Sequence, residues 1–225
     1  MLPKIRKAVS NLKQSEIREV ANSAMGSNKL IPLWFGEDDL PSSDLIINEG
    51  KKALKEGNTF YTQNKGNPDL CLAISNYLSN LHNRDININQ ILVTASGMNG
   101  LMITAEAIIE PKDKVIAITP VWPNFLRSVE IMGGIIEEQP LKLKMNKWKL
   151  NLEELFYRAS KAKAIYINSP NNPTGWMIDR EDQCKLMEYC RKNNIWLIAD
   201  EVYSRIVYDR KYAPSFLDIR KDDDP

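Results

Sequence analysis

From Ile91 to Ala199 the chain switches repeatedly between short apolar runs and segments with helical spacing, and few features restrict a fold more. Ile91-Leu92-Val93-Thr94, Val115-Ile116-Ala117-Ile118, Ile135-Ile136, Ala164-Ile165-Tyr166-Ile167-Asn168 and Ile195-Trp196-Leu197-Ile198-Ala199 read as strands. Between them the spacing predicts helices over Leu101 to Ile109, Phe125 to Met132, Leu152 to Ala159 and Asp179 to Asn193. Asn151 caps the third of these, and Asp179 with Asp182 forms a weak capping box for the fourth. The strands are apolar on both parities, as expected when both faces of a sheet are covered. Alternation of this kind builds a mainly parallel sheet with right-handed crossovers, so the predicted fold class is α/β, a three-layer αβα sandwich.

Upstream, Ile17, Val20, Ala21 and Ala24 mark a helix over residues 14–25, and Leu30 to Phe35 reads as extended. Asp44 is placed to cap a helix running to about Glu56. Asn67-Pro68 starts another, with an apolar face of Leu70, Ala73, Ile74, Tyr77, Leu78 and Leu81. Residues 141–150, LKLKMNKWKL, read as an exposed ribbon and not as a nucleic-acid patch.

Bulk properties exclude several function classes. The formal net charge of +1 points to neither nucleic acid nor an anionic membrane as partner. No apolar run is long enough for a membrane span, and the first residues, MLPKIRKAVSNLKQSE, lack the apolar core of a secretory signal. Cys71, Cys184 and Cys190 are odd in number and form no C-x-x-C pair, which fits buried thiols in a reducing cytoplasm. The single histidine, His82, is expected at a solvated helix end, so metal chemistry and a Ser-His-Asp triad are poor readings.

In parallel sheets ligands bind beyond the carboxyl ends of the strands, and there the unusual residues gather. Ser96-Gly97-Met98 follows the first strand and opens a helix, an arrangement whose free N–H groups and dipole suit a phosphate. Trp122, between Pro120 and Pro123, follows the second and could stack on a planar ring. Asn172, held by Pro173 inside SPNNPTGW, offers an amide donor, while Asn171 shapes the turn. Asp200 ends an apolar strand, where its charge needs a cation. A protonated pyridine nitrogen supplies one, and Tyr203 could donate into the same cleft. A phosphate cup, a ring stacker, ring-oxygen donors and a carboxylate for a ring nitrogen together describe a site for pyridoxal 5'-phosphate.

The ordered set Tyr61-Thr62…Gly66, Ser96-Gly97-Met98, Pro120-Val121-Trp122-Pro123-Asn124, Asn172-Pro173-Thr174-Gly175 and Asp200-Glu201-Val202-Tyr203 resembles the fold-type I, class I/II aminotransferases from about Leu30 onward. The resemblance implies a residue division: 1–43 as an N-terminal arm and part of a small domain, 44–225 as an incomplete large domain. It also implies roles. Ser96, Gly97 and Met98 would hold the phosphate, and Trp122 would stack on the pyridine ring. Asn172 and Tyr203 would bond the ring's phenolic oxygen, and Asp200 would pair with the ring nitrogen. Tyr61 would reach the phosphate of a neighbouring subunit, which makes a homodimer the expected assembly. Gly36, Asn172 and Trp122 would meet the substrates, an amino acid and a 2-oxo acid. Met98 departs from the small or polar residue expected beside that glycine.

One required part is missing. Transamination needs a lysine that forms a Schiff base and shuttles a proton, and the resemblance places it beyond the Asp-x-x-Tyr motif in an SxSK-like segment. No such segment occurs, and Lys211 and Lys221 come too early. The last strands of the family's large sheet, and the arginines that grip phosphate and substrate, would also follow Pro225. The expectation is an N-terminal portion, inactive alone, that a complementary C-terminal polypeptide would complete. Two other readings stay open: a related lyase or synthase on the same cofactor, such as a carbon–sulfur lyase or cyclopropane-forming synthase, and a non-catalytic remnant or interaction protein.

Overall fold

A computed structural model describes residues 4–27, 29–37, 39–221 and 224. It divides into two compact units, Met1–Ser10 with Lys65–Pro225, and Asn11–Asn64.

Among its described residues the 11–64 unit holds two helices. The short helix α1, Lys7–Ser10, precedes it in the chain. Helix α2, Glu16–Ala24, is capped by Ser15, whose hydroxyl accepts the Arg18 N–H at 3.3 Å. The Arg18 guanidinium lies 4.6 Å over the Phe35 ring. Helix α3 spans Asp44–Lys55. Ser43, not Asp44, takes its cap position; Asp44 sits in the first turn, where a carboxylate complements the helix dipole. Residues 31–33 form no strand, and Ile31 and Leu33 stand more than four-fifths exposed.

In the larger unit, α4 (Pro68–His82) begins as expected, with Asn67 Oδ1 accepting the Asp69 N–H at 2.8 Å and Pro68 in the first turn. Its inner face keeps Ile74, Leu78 and Leu81 of the predicted one and is turned from the rest. Cys71, Ser75 and Leu81 are buried, whereas Leu70 and Tyr77 are about half exposed. The helix packs on Ile86, Ile91 and Val93, and the Ser75 hydroxyl donates to the Ile86 carbonyl at 2.6 Å, which fixes the rotation. His82 also departs from expectation. Its side chain is buried, with Nδ1 2.7 Å from Asp218 Oδ1 and its ring edge-on to Tyr212. The long-range return of residues 216–218 covers it, which local sequence could not show.

After a 3-10 turn at Ile88–Gln90 comes the segment predicted as the first strand. Ile91 to Thr94 is not in a ladder; the Ile91 N–H closes the preceding 3-10 turn on the Ile88 carbonyl at 3.2 Å, and the Val93 N–H donates to the Lys65 carbonyl at 2.9 Å. Extended residues become a strand only in a ladder, and among the described residues no strand pairs with these. Gly66 permits the crossing at Lys65: its φ is +112°, and a Cβ would stand 2.6 Å from Val93 Cβ.

The remaining elements follow the predicted alternation: α5 (Gly97–Ile108), β1 (Lys114–Thr119), α6 (Asn124–Met132), β2 (Ile135–Pro140), β3 (Lys142–Lys144), β4 (Lys147–Lys149), α7 (Leu152–Ala159), β5 (Ala164–Asn168), α8 (Arg180–Asn193) and β6 (Trp196–Asp200). Strands β2-β1-β5-β6, in that order, form one parallel sheet. The lysine-rich stretch is the antiparallel β3–β4 hairpin, turned at Met145 and Asn146. The two-parity strands bury both faces. Ile116, Ile118, Ile165 and Ile167 pack with Leu155 of α7 and Leu186 and Cys190 of α8. Val115, Ala117, Ala164 and Tyr166 pack with Ala105 of α5 and Phe125 and Val129 of α6. No helix among the described residues is long and apolar enough to cross a membrane.

Candidate active site

The carboxyl ends of β1, β5 and β6 each stop at polar or proline-rich loops, and hydrogen bonds sew these loops together. The peptide bonds Thr119–Pro120, Ser169–Pro170 and Asn172–Pro173 are cis. The Trp122 N–H donates to the Asn172 carbonyl at 2.9 Å, joining the loop after β1 to that after β5. Asn168, at the buried end of β5, accepts the Asn172 N–H at 2.7 Å and donates from Nδ2 to the Asp200 carbonyl at 3.0 Å. Asn172 Nδ2 donates to the Tyr203 hydroxyl oxygen at 3.2 Å. Asn171 holds the turn, its Oδ1 accepting from the Thr174 N–H at 3.0 Å and hydroxyl at 2.7 Å. Gly175 closes that turn at φ +68°, a left-handed position suited to glycine.

Asp200 stands half-buried at the end of β6. Its Oδ1 accepts the Val202 N–H at 3.2 Å and its Oδ2 accepts the Tyr166 hydroxyl at 2.9 Å. Burial, with the Asp200 charge adding to it, pushes the Tyr166 phenol far above its ordinary range. The next residue, Glu201, points elsewhere: its carboxylate accepts the Ser215 hydroxyl at 2.6 Å and the Phe216 N–H at 2.7 Å. Burial raises the pKa of Glu201, against the pull of these two donors.

Ser96 caps α5, its Oγ accepting the Asn99 N–H at 3.1 Å. The far end of α5 is anchored at the amino edge of the sheet. There a Cβ on Gly134, just before β2, would press on Ile109. Twelve helical residues span about 18 Å, so Ser96, Gly97 and Met98 lie toward the carboxyl edge. A Cβ on Gly97 would meet no atom within 4 Å, so the surface over the helix start is open.

The structure thus brings Trp122, Asn172, Asp200 and Tyr203 into one bonded group and sets Ser96–Met98 at a helix start. Tyr61 and Gly36 belong to the 11–64 unit. Tyr61 is fully exposed there. Gly36 is exposed, outside the left-handed region, and a Cβ on it would meet nothing. Sequence reasoning missed Tyr166 and Asn168 as site residues. The available signal was a phenol and an amide inside an otherwise aliphatic buried strand, where each must find a partner.

Comparison with known proteins gives the family. The family model described as aminotransferase class I and II matches residues 29–224. A probable aspartate aminotransferase of Methanocaldococcus jannaschii is 35% identical over 206 residues, 91% of this chain and 54% of the relative. An aspartate aminotransferase of Thermotoga maritima is 32% identical, over 84% of this chain and 50% of its own length. A crystal structure of an aspartate aminotransferase from Thermotoga maritima superposes with a TM-score of 0.88 at 30% identity, covering 96% of this chain and 59% of that one. An alanine aminotransferase from Pyrococcus furiosus gives 0.88 at 25% identity, covering 97% and 57%. The chain spans about half the length of the curated relatives it matches. It belongs to the class I and II aminotransferase family.

Proposed function

We propose that this chain forms part of a pyridoxal-phosphate-dependent aminotransferase of the cytoplasm, moving an amino group from an amino acid to a 2-oxo acid. One observation carries the reading: Asn172 beyond the end of β5, and Asp200 and Tyr203 at and just beyond the end of β6, share one hydrogen-bonded cluster at the carboxyl edge of a parallel sheet, Asp200 through its main-chain carbonyl. That donor set fits a phosphorylated pyridine, and the open helix start at Gly97 fits its phosphate. Family membership implies the same cofactor in general terms.

When bound, pyridoxal phosphate supplies an electron sink for the bonds at the substrate's α-carbon. The protein's part is orientation and charge. Asp200 would hold a positive charge at the ring nitrogen. Asn172 and Tyr203 would direct hydrogen bonds at the phenolic oxygen, and Asn172 is already aligned by Asn168 and by the Trp122 N–H. The Trp122 indole would cover one ring face and exclude water. Ser96 and the N–H groups of Gly97 and Met98 would bind the phosphate. Tyr61 would come from the partner subunit of a homodimer, and Gly36 would meet the substrate. The division into residues 1–43 and a large domain from 44 belongs to the same reading.

The test uses the protein as its own gene encodes it. Titration with pyridoxal phosphate, followed by visible absorbance, is expected to show saturable binding that Asn172→Ala weakens about tenfold or more. Aspartate, named in the relatives above, is the first donor to assay, with 2-oxoglutarate as acceptor. No binding by the parent protein overturns the proposal. So does consumption of the amino acid without an oxo acid, which would favour a lyase or synthase.

A further inference from the structure

Strand β5 is aliphatic except for Tyr166 and the terminal Asn168, and all its residues are buried. A phenol buried in such a strand needs an acceptor for its hydroxyl. The register explains where it finds one. Tyr166 lies opposite Ile198, and Asn168 opposite Asp200. Side chains alternate along a strand, so Tyr166 and Asp200 share a face as diagonal neighbours, with Cα atoms about 7–8 Å apart. An isoleucine could not span that gap, and a phenylalanine could span it but not donate. The tyrosine does both, with its hydroxyl 2.9 Å from Asp200 Oδ2. Its ring packs on Phe125 at 4.4 Å between centroids and 31° between planes, so the hydroxyl is held in place from behind. The other carboxylate oxygen is held by the Val202 N–H. Asp200 is thus gripped from two sides, by backbone on Oδ1 and by a side chain on Oδ2.

We propose that Tyr166 is a positioning residue for Asp200: its hydroxyl fixes the plane of the carboxylate and draws off part of its negative charge, so that a proton shared with a ring nitrogen stays on nitrogen. The inference rests on the proposed cofactor, because only a basic ring nitrogen requires such a carboxylate. Burial and the neighbouring charge keep the phenol protonated, so it remains a donor wherever the protein is folded. A tyrosine serving only to fill the core would also bury its ring here, but its hydroxyl would not affect the ligand.

Tyr166→Phe keeps the ring and removes the hydroxyl. With the protein bound to pyridoxal phosphate labelled with nitrogen-15 in the ring, the nitrogen chemical shift reports where the proton sits. In Tyr166→Phe the shift is expected to move toward that of a neutral pyridine, with cofactor affinity falling about tenfold. Difluorotyrosine at position 166, a stronger donor of unchanged shape, is expected to move it the opposite way, and this serves if the phenylalanine variant folds poorly. Tyr157→Phe, at an exposed phenol, should change nothing. An unchanged nitrogen shift and affinity in both Tyr166 variants overturns the positioning role while leaving the function standing. A parent protein that binds no pyridoxal phosphate overturns the function and this role with it.

Discussion

Strands β5 and β6 are neighbours of equal length, each ending in a residue of the candidate site, yet they are held differently. β5 lies between β1 and β6 and is buried at every position. β6 has β5 as its one ladder neighbour among the described residues; Trp196 is nearly half exposed and the rest are partly covered. Asn168, at the end of β5, is therefore placed by the core. Asp200, at the end of β6, is placed largely by side-chain ties: Tyr166 and Asn168 from β5, and the Glu201 anchor to Ser215 and Phe216. One wall of the site is rigid because of packing, and the other is rigid because of hydrogen bonds.

The contrast is broken most forcefully by removing equal bulk from each strand. Ile167 is fully buried between β1 and the α7–α8 layer, so Ile167→Ala leaves a cavity and should cost about 3–4 kcal/mol. Leu197 lies on the same face of β6 but is only partly covered, and Leu197→Ala should cost about half as much or less. Urea unfolding of both variants decides the matter. Equal losses would mean that β6 is packed as tightly as β5, and the comparison would fail.

A smaller effect is expected at the stitch between the strands. Asn168→Ala strips the Asn172 N–H of its acceptor and the Asp200 carbonyl of one of two donors. Leaving such groups unpaired in a partly buried place costs about 1–3 kcal/mol. Because the same amide aligns Asn172, the variant should also bind pyridoxal phosphate more weakly than its stability loss alone explains. Calorimetric unfolding beside a cofactor titration checks both, and stability loss with unaltered affinity would confine Asn168 to a packing role.

Much of this arrangement was legible in the sequence, for identifiable reasons. Strands β1, β5 and β6 announced themselves because a sheet covered on both faces needs apolar residues at both parities, and the helices because their caps, Asn67, Asn151 and Asp179, lie at the observed starts. Asn172, Asp200 and Tyr203 stood out as polar interruptions at strand ends. What was hidden depends on contacts between distant residues. Ile91 to Thr94 looks like a strand, but among the described residues no strand pairs with it. His82 looks like a solvated helix end until Asp218 folds back on it. Tyr166 carried a readable clue, sharing parity with Asn168 in an aliphatic run, but its acceptor followed only from the β5–β6 register. Ser215 offered none, since its partner Glu201 is fixed by a loop return.

That loop return yields the smallest and most specific prediction. Glu201 has an ordinary pKa of 4.5, and burial raises it in the folded protein, with the Asp218 charge adding to the rise and Ser215, Phe216 and His82 opposing it. As pH rises past 4.5 the unfolded chain loses this proton first, while the folded chain still holds it. Over that interval the folded state binds more protons, so this group's contribution to stability is complete below the unfolded value and lost as pH rises through the folded one. Glu201→Gln keeps an acceptor for the Phe216 N–H and cannot titrate. Unfolding free energies of the two proteins, measured side by side from acid to neutral pH, should therefore diverge, with the parent losing ground to the variant as pH rises. Parallel curves would mean that Ser215 and Phe216 satisfy the carboxylate fully, and the β6 wall would then be held by a charge that costs nothing to bury.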